Sequence, residues 1–387
     1  MSHAILSPSA AGRWLACTPS ARLEARFPDN AGDFAQEGTL AHEFGELYLK
    51  KHTGRIDNAE WLQKMASLLD NPFYNDSLEE YAKGYADFVI EHYLLAKKAT
   101  LDAVLRIEET IDLTTYVPEG FGTGDAIILA DGTMEIIDLK YGKGVQVSAV
   151  KNKQMMLYAI GALDMFGFMY AIDKVKMTIY QPRIDNISEW EIQSQELLEW
   201  GEQELIPRAA IAFRGEGDFV PGEHCRFCRA KATCKALAEL NLKAAEHEFE
   251  EVALLSDEEL ADILARADGI KNWITAVEEY ALQAALEGKK FPGFKLVEGR
   301  SIRKYADEEK VAEVLIANGF KKESIYEPAK LKTITNMEKM ITKKTFAALL
   351  GNMIIKPQGK PTLVPASDKR PDLNDANRDF ESISIND

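Results

Sequence analysis

Apolar residues near the middle of the chain form two short runs, as expected for a pair of adjacent strands. The runs cover residues 126–129 and 134–139 and flank the tetrapeptide Ala130-Asp131-Gly132-Thr133. An Asp-Gly pair between two such runs is a strong signal for a β-hairpin. Asp125 precedes the first run, and Asp138 lies at the end of the second. Pairing of the two strands would therefore bring both carboxylates toward the same end of the hairpin.

The apolar pattern elsewhere predicts helices and strands in alternation. Stretches with a helical period cover residues 34–51, 60–99 and 195–213, and a further helix is expected around residues 154–158. Additional strands are predicted over residues 104–113, 175–180 and 187–192. This order of elements predicts an α/β fold in which helices flank a mixed central sheet.

The composition of the chain changes beyond about residue 248. Ser256 and Glu259 have the spacing of a capping box, which predicts two successive helices that end at about residue 287. Short strands over residues 294–305 and a helix over 308–318 are expected next, before a lysine-rich region. The sequence thus predicts three parts: a first domain over residues 1–247, an α+β extension over 248–370 and a polar, acidic, disordered tail over 371–387.

Asp138 and Lys140 place an acid and an ammonium group two positions apart on a predicted strand, so both side chains lie on one face. Such a pair suits metal-assisted attack on a phosphodiester, because carboxylates bind hard divalent cations and lysine can position water or neutralise charge. Gln154 and Tyr158 lie four residues apart and share a face of the following helix. An isolated Asp-x-Lys would equally fit a hairpin with solvated charges, so the prediction depends on the combination.

A second set of polar residues lies on the predicted helix over residues 34–51. Gly38, His42 and Glu46 occupy successive fourth positions and line a face distinct from the apolar stripe. A histidine ligand would favour Mn²⁺ alongside Mg²⁺, since imidazole is a softer ligand than carboxylate. A lone histidine on a helix is also common as a surface or core residue.

Together these residues resemble the PD-(D/E)XK nuclease superfamily, and more narrowly its RecB-like branch. The shared pattern is Gly-x-x-x-His-x-x-x-Glu, then an acid after a glycine-rich turn, then Asp-x-Lys, then Gln-x-x-x-Tyr. The resemblance implies a restriction-endonuclease-like core with Mg²⁺ or Mn²⁺ bound by His42, Asp125, Asp138 and the carbonyl of Leu139. It also implies a set of catalytic residues, namely Asp125, Asp138, Lys140, Gln154 and Tyr158. Glu46 is the one additional site candidate.

The chain contains four cysteines, of which Cys17 lies near the start and three lie together as Cys225, Cys228 and Cys234. The CxxC pair can bring two thiolates to one ion, and the basic residues around it are expected to favour the thiolate form. This distribution resembles the iron–sulfur staple of RecB-like nucleases, which implies that all four cysteines ligate a [4Fe–4S] cluster. A structural Zn²⁺ and unligated thiols are the open alternatives.

Composition restricts the class of protein further. A hydrophobic content of 46% and a charged content of 28% are typical of a soluble globular protein. No run approaches the ~20 apolar residues of a membrane span, and no secretion signal is seen, which predicts a cytoplasmic protein and no membrane partner. The net charge of −16 argues against a general nucleic-acid coat. Basic stretches over residues 139–176 and 321–370 fit contact with a phosphate backbone, although lysines without a role would look the same.

The resemblance also sets the expected activity. The chain has no GxxxxGK[ST] motif, so it is not an ATP-driven helicase–nuclease by itself. It is similar to CRISPR-adaptation nucleases and to phage recombination exonucleases, which implies a divalent-metal-dependent DNA exonuclease in a bacterial or phage-infected cytoplasm. A single-strand-annealing or single-strand-binding protein is an expected partner by family analogy, and oligomerisation stays open. The alternatives are a non-catalytic module that binds DNA ends and a structure-specific endonuclease.

Overall fold

The computed structural model of the chain describes residues 4–28, 33–245, 257–295 and Ile316. The chain divides into two compact units, one formed by residues 1–247 and 269–331 and the other by residues 248–268 and 332–387. Several predicted features lie outside the described residues. They are the part of the predicted strands over 294–305 beyond residue 295, the helix over 308–318 apart from Ile316, the lysine-rich region and the acidic tail. The three-part domain division therefore stays a prediction.

A five-stranded mixed sheet flanked by helices forms the centre of the first unit and confirms the predicted α/β fold with a mixed central sheet. Its strands, in both chain and spatial order, are β1 Val104–Asp112, β2 Phe121–Ala130, β3 Gly132–Leu139, β4 Ile172–Gln181 and β5 Asn186–Gln193. Neighbouring strands run antiparallel except β3 and β4, which are parallel. The predicted hairpin is β2–β3, in which Ala130 pairs with Thr133. Gly132 in its turn has a φ of 76°, a conformation that glycine adopts without steric cost.

The helices of the described chain agree with most of the predicted helical spans. They are α1 Ala11–Ala16, α2 Ser20–Glu24, α3 Asp33–His52, α4 Asn58–Leu69, α5 Asp76–Ala99, α6 Lys153–Phe166, α7 Ser194–Trp200, α8 Ile206–Arg214, α9 Lys235–Ala245 and α10 Asp257–Leu286. Asp57 and Asn75 cap α4 and α5 by accepting backbone N–H groups of the first turn. In the part of the chain that the structure describes, no helix has the length and apolar character of a membrane span.

Three predicted helical spans differ from the structure. The span over 60–99 contains two helices, α4 and α5, which residues 70–75 separate. The single helix over 195–213 is divided into α7 and α8 by a π-helical turn at Gly201–Leu205. Pro207 lies in the first turn of α8, where its missing N–H and its ring interrupt the regular i→i−4 ladder. The two helices predicted to end near residue 287 are one continuous helix, α10, and the predicted cap Ser256 lies outside the described residues.

The sheet is buried on both faces, which explains the continuous apolar runs in its central strands. On one face, Ile127 and Ile136 pack in a hydrophobic layer that includes residues of α1, α6, α7 and α8. On the other face, Ile128 and Ile137 pack in a layer with residues of α3 and α5, in which Phe44 is fully buried. Successive strand residues point to opposite faces, so each strand contributes to both layers.

The N-terminal segment is joined by polar contacts to the segment that follows β5. Thr18 donates from Oγ1 to the carbonyl of Glu216 at 2.6 Å, and Arg22 donates from Nε to the carbonyl of Phe213 at 2.7 Å. The buried carboxylate of Glu24 accepts the backbone N–H of Arg229 at 2.8 Å. These contacts cross about 200 residues of chain and close the first unit onto itself.

Helix α6 lies unusually close to β1. A Cβ atom added at Gly161 would overlap Ile111, and it would approach the Leu113 side chain to 2.7 Å and the carbonyl of Asp112 to 3.0 Å. Gly38 in α3 shows the opposite situation, because no atom lies within 4 Å of its added Cβ position.

We expect Gly161→Ala to lower the free energy of unfolding by about 1–3 kcal/mol, because the methyl group must displace packed atoms. Gly38→Ala is the matched control and should raise the free energy of unfolding by about 0.5–1 kcal/mol, because it restricts the unfolded chain without a clash. Urea unfolding of the two variants measures both changes. Equal stability of Gly161→Ala and wild type would contradict the tight α6–β1 packing.

Candidate active site

The two predicted acidic residues lie side by side at one end of the β2–β3 hairpin. Ala126 pairs with Ile137, so the next positions along the two strands are Asp125 and Asp138. Both side chains are buried, with exposures of 9% for Asp125 and 3% for Asp138. Asp125 was expected to precede its strand, but β2 begins at Phe121 and places this residue in its interior.

Asp125 connects the hairpin to helix α3. Its Oδ2 atom accepts the backbone N–H of Leu139 at 2.7 Å and lies 3.3 Å from Nδ1 of His42. Burial would lower the pKa of His42, but Asp125 and the other nearby carboxylates raise it to about 9. Burial by itself would raise the pKa of Asp125, but His42, Lys140 and the Leu139 N–H stabilise the carboxylate and lower the pKa overall. The pair is therefore an ion pair of imidazolium and carboxylate.

Asp138 connects the hairpin to helix α6 through Lys140 and Gln154. Lys140 Nζ lies 2.9 Å from Asp138 Oδ2 and donates to Gln154 Oε1 at 2.9 Å. The Gln154 amide donates to Tyr158 Oη at 3.1 Å and to Asp138 Oδ1 at 3.4 Å. The structure thus brings these four predicted residues into one connected group, and Asp138 and Lys140 share a face as predicted.

The charges of this group follow from its burial. Burial raises the pKa of Asp138, and the neighbouring Asp125 carboxylate adds to the effect, which exceeds the opposing influence of Lys140. Burial would lower the pKa of Lys140, but the two carboxylates raise it, so Lys140 carries a positive charge. Among the described residues, the Lys140 ammonium at 2.9 Å is the one partner of Asp138 Oδ2.

Glu46 lies at the margin of this site. It forms an ion pair with Lys50, one helical turn further along α3. Its side chain is 31% exposed, and its negative charge contributes to a raised pKa of Glu108. Its assignment as an additional site residue stays a prediction.

Glu108 is a site residue that the sequence did not reveal. Three possible ligand atoms, one each from His42, Glu108 and Asp125, lie within 4.8 Å of one another. They are close enough to bind one metal ion. Burial raises the pKa of Glu108 to about 8, and the charge of Asp125 adds to this rise. A carboxyl group in this environment binds a cation readily once it is deprotonated.

The four cysteines line one pocket, together with Arg13, Ser20 and Leu237 among others. All four are free thiols. The expectation that basic neighbours favour the thiolate is wrong for Cys17, Cys225 and Cys228, because burial raises the pKa of each of them. The pKa of Cys228 rises to about 12, with a further contribution from the negative charge of Glu24. A bound metal would therefore have to displace protons from these thiols.

The chain was compared with known families and solved structures. A family model described as "Protein of unknown function (DUF2800)" matches residues 3–371. The chain belongs to the DUF2800 family. This DUF2800 protein is similar to the crystal structure of SSO0001, with 15% sequence identity and a TM-score of 0.23. The match covers 50% of the DUF2800 protein and 94% of the SSO0001 chain. This degree of similarity carries no conclusion about the site.

A second group of potential ligands in the DUF2800 protein is occupied by internal contacts. His92, Glu135 and Glu189 are close enough to hold one ion. However, Lys176 Nζ lies 3.3 Å from Glu135 and 2.6 Å from Glu189, and Thr178 donates to Glu135 at 2.9 Å. An ammonium group at the centre of the cluster disfavours a cation there, so we interpret it as a structural polar network.

The backbone of Glu108 explains why the sequence of the DUF2800 protein conceals this residue. Its φ is 49°, a left-handed value within strand β1. Leu105 lies in the layer beside α3 and α5, whereas Ile111 lies in the layer beside α6, so the side-chain alternation reverses across Glu108. Regular alternation predicts that both residues face the same layer.

We expect Glu108→Gly to be more stable to urea unfolding than Glu108→Gln by about 1 kcal/mol, because both lose the carboxylate but only glycine suits the left-handed backbone. Glu109, the next residue of β1, does not have a positive φ and is the matched control position for Glu108. There the order should reverse, with Gly less stable than Gln by about 0.5–1 kcal/mol. The same order at both positions would contradict a strained Glu108.

Proposed function

We propose that this DUF2800 protein is a divalent-metal-dependent nuclease of the PD-(D/E)XK type that hydrolyses DNA phosphodiester bonds. The observation that carries the proposal is the pair of adjacent buried carboxylates, Asp125 and Asp138, with His42 on one side and Lys140 on the other. These groups come from α3, β2, β3 and the residue after β3, so the fold itself assembles them. An arrangement of this kind has a desolvation cost that a purely structural hairpin would not need.

The residues present fit a divalent cation. Asp138 Oδ2 is buried and has the Lys140 ammonium as its one partner among the described residues, which leaves a second oxygen lone pair available as a ligand. Asp125 adds a further donor, and His42 and Glu108 join it within reach of one ion once the cation has displaced their protons; we assign the Leu139 carbonyl to the same set. Carboxylate oxygens suit Mg²⁺, and the imidazole extends the range to Mn²⁺. A bound cation supplies Lewis-acid stabilisation of phosphate charge and a water molecule of lowered pKa.

The residues around the carboxylates have separate tasks in this proposal. Lys140, held between Asp138 and Gln154, neutralises charge that develops on the phosphate and positions the attacking water. Gln154 fixes the direction of the Lys140 ammonium through its Oε1 atom and orients Tyr158 through its Nε2 atom. Tyr158 keeps its proton, because burial raises its pKa, and it donates a hydrogen bond toward the substrate.

The kind of cutting is supported by the resemblance of the motifs alone. By that resemblance we propose exonuclease action on DNA ends, in phage or prophage recombination or in related end processing. A single-strand-annealing or single-strand-binding protein is the proposed partner on the same ground.

Cleavage is tested with linear DNA labelled separately at each end, with Mg²⁺ or Mn²⁺ present, and with a closed circle of the same sequence. We expect progressive loss from one end of the linear DNA and no cutting of the circle. Asp138→Ala should lower the rate by at least about a hundredfold, since it removes a metal ligand and the partner of Lys140.

Asp131→Ala is the matched control, because Asp131 is an exposed aspartate in the turn at the far end of the same hairpin. It should cut at the wild-type rate. If the wild-type protein binds DNA but cuts no linear, circular, single-stranded or branched substrate, the nuclease assignment fails and a DNA-end-binding module takes its place.

We further propose that the four cysteines hold a [4Fe–4S] cluster. The support is that four otherwise unpaired thiols, from two segments far apart in the chain, line one pocket. Four-thiolate coordination suits both such a cluster and structural Zn²⁺. The ligands would be one cysteine from the N-terminal segment and three from the segment before α9, namely Cys17, Cys225, Cys228 and Cys234.

Anaerobic purification should give a brown protein with broad absorbance at about 400 nm. Cys228→Ser should lose this absorbance, whereas Ser20→Ala, which changes another residue of the same pocket, should keep it. A colourless protein with one zinc ion per chain would assign the pocket to Zn²⁺ instead. Neither metal after anaerobic purification would leave the thiols unligated and contradict the cluster.

A further inference from the structure

The loop that follows Lys140 has an unusual set of unpaired backbone donors. Residues 142–146 are all exposed, and within the described chain none of their N–H groups finds a hydrogen-bond acceptor. Gly142 and Gly144 leave open space where a Cβ atom would lie. The ammonium group of Lys143 also has no partner among the described residues. We call residues 142–146 the clamped loop, because a buried side chain holds two of its carbonyls.

The carbonyl side of the clamped loop is held from beneath by the buried amide of Gln181, which is 1% exposed. Gln181 Nε2 donates to the carbonyl of Gly142 at 2.7 Å and to that of Val145 at 2.8 Å. Its Oε1 accepts the N–H of Val147 at 3.1 Å and the Nδ2 of Asn186 at 3.1 Å. All the donor and acceptor positions of this amide are therefore used, and three of the four partners belong to the loop or its end.

Asn186 completes the support from the start of β5. Its Nδ2 also donates to the carbonyl of Val147 at 2.9 Å, and its Oδ1 accepts from Gln146 Nε2 at 2.8 Å. Two buried amides thus fix both ends of the clamped loop. Burying an amide is costly unless every partner is present, so the conformation of the loop is well determined.

This arrangement gives the clamped loop the properties of an anion-binding surface. Because the carbonyls of Gly142 and Val145 point inward, the N–H groups on the other side of the same peptide planes, those of Lys143 and Gln146, point outward. Outward N–H groups attract oxyanions, and the exposed Lys143 ammonium strengthens that attraction. Gly142 is two residues from Lys140, so the Cα atoms of these two residues are at most about 7 Å apart. The loop therefore begins beside the lysine of the candidate active site.

We propose that the clamped loop binds a backbone phosphate of the substrate strand beside the phosphate that is cut, and that Gln181 is its positioning residue. This inference rests on the proposed nuclease function and adds the class of contact by which the substrate is held. Because this contact involves a phosphate and no base edge, its strength does not depend on the DNA sequence. It fixes the strand relative to Lys140 while leaving the chemistry to the carboxylates.

The test measures DNA binding apart from cutting. All proteins carry Asp138→Ala, and affinity for a fluorescein-labelled DNA strand is followed by anisotropy over a series of salt concentrations. We expect Lys143→Ala to weaken binding about tenfold and to reduce the slope of log Kd against log salt by about 0.7–0.9, the contribution of one neutralised phosphate. Lys143→Arg should keep the slope. Lys98→Ala, an exposed lysine at the end of α5, should change neither quantity.

Gln181→Ala tests the positioning role in protein that retains Asp138. We expect KM to rise about tenfold with kcat within about twofold, because the strand is held less well while the carboxylates and Lys140 are unchanged. A purely structural role would lower stability and leave KM unchanged in the folded fraction. If Gln181→Ala does not fold, the Lys143 variants still decide the question.

The outcomes separate the two proposals. If Lys143→Ala binds with the affinity and salt slope of its parent, the clamped loop has no role in DNA binding, even where the wild-type protein cuts DNA. If Lys143→Ala shows the expected loss but wild type cuts nothing, the nuclease assignment fails and the phosphate contact stands. A parent protein that does not bind DNA overturns the phosphate contact, and cleavage by wild type then decides the nuclease assignment by itself.

Discussion

The burial of two adjacent carboxylates at the end of one hairpin is the constraint on which the rest of the site depends. Asp125 and Asp138 lose their hydration together, and their charges repel. Two cations offset this cost, one from each side of the sheet: His42 from α3 and Lys140 from the end of β3. The two helical layers are thus needed for more than a hydrophobic core, because α3 brings His42 to this edge and α6 brings Gln154, the partner of Lys140.

The features that sequence predicted correctly are those set by local periodicity. The Asp-Gly turn fixes the hairpin, the period of two places Asp138 and Lys140 together, and the period of 3.6 places Gln154 beside Tyr158. Glu108 escaped prediction because one left-handed residue reverses the alternation of its strand. The thiol environment was also beyond reach, since burial depends on residues that are distant in the chain.

The position of Gln181 follows from the single parallel pairing in the sheet. Strands β3 and β4 run in the same direction, so their C-terminal ends meet at one edge, where the N–H of Lys140 donates to the carbonyl of Tyr180 at 2.9 Å. A residue at the end of β4 is consequently placed beneath the chain that leaves β3. An antiparallel partner at this position would have brought the start of a strand there instead.

The N-terminal segment and the segment after β5 are joined by contacts besides those of their cysteines. Thr18, Arg22 and Glu24 hold the two segments together through hydrogen bonds, two of them to backbone carbonyls and one to a backbone N–H. The junction of the two segments therefore does not depend only on a group bound by the thiols. Replacement of one cysteine would remove a ligand and leave these hydrogen bonds in place, so ligand binding and closure of the first unit can be perturbed separately.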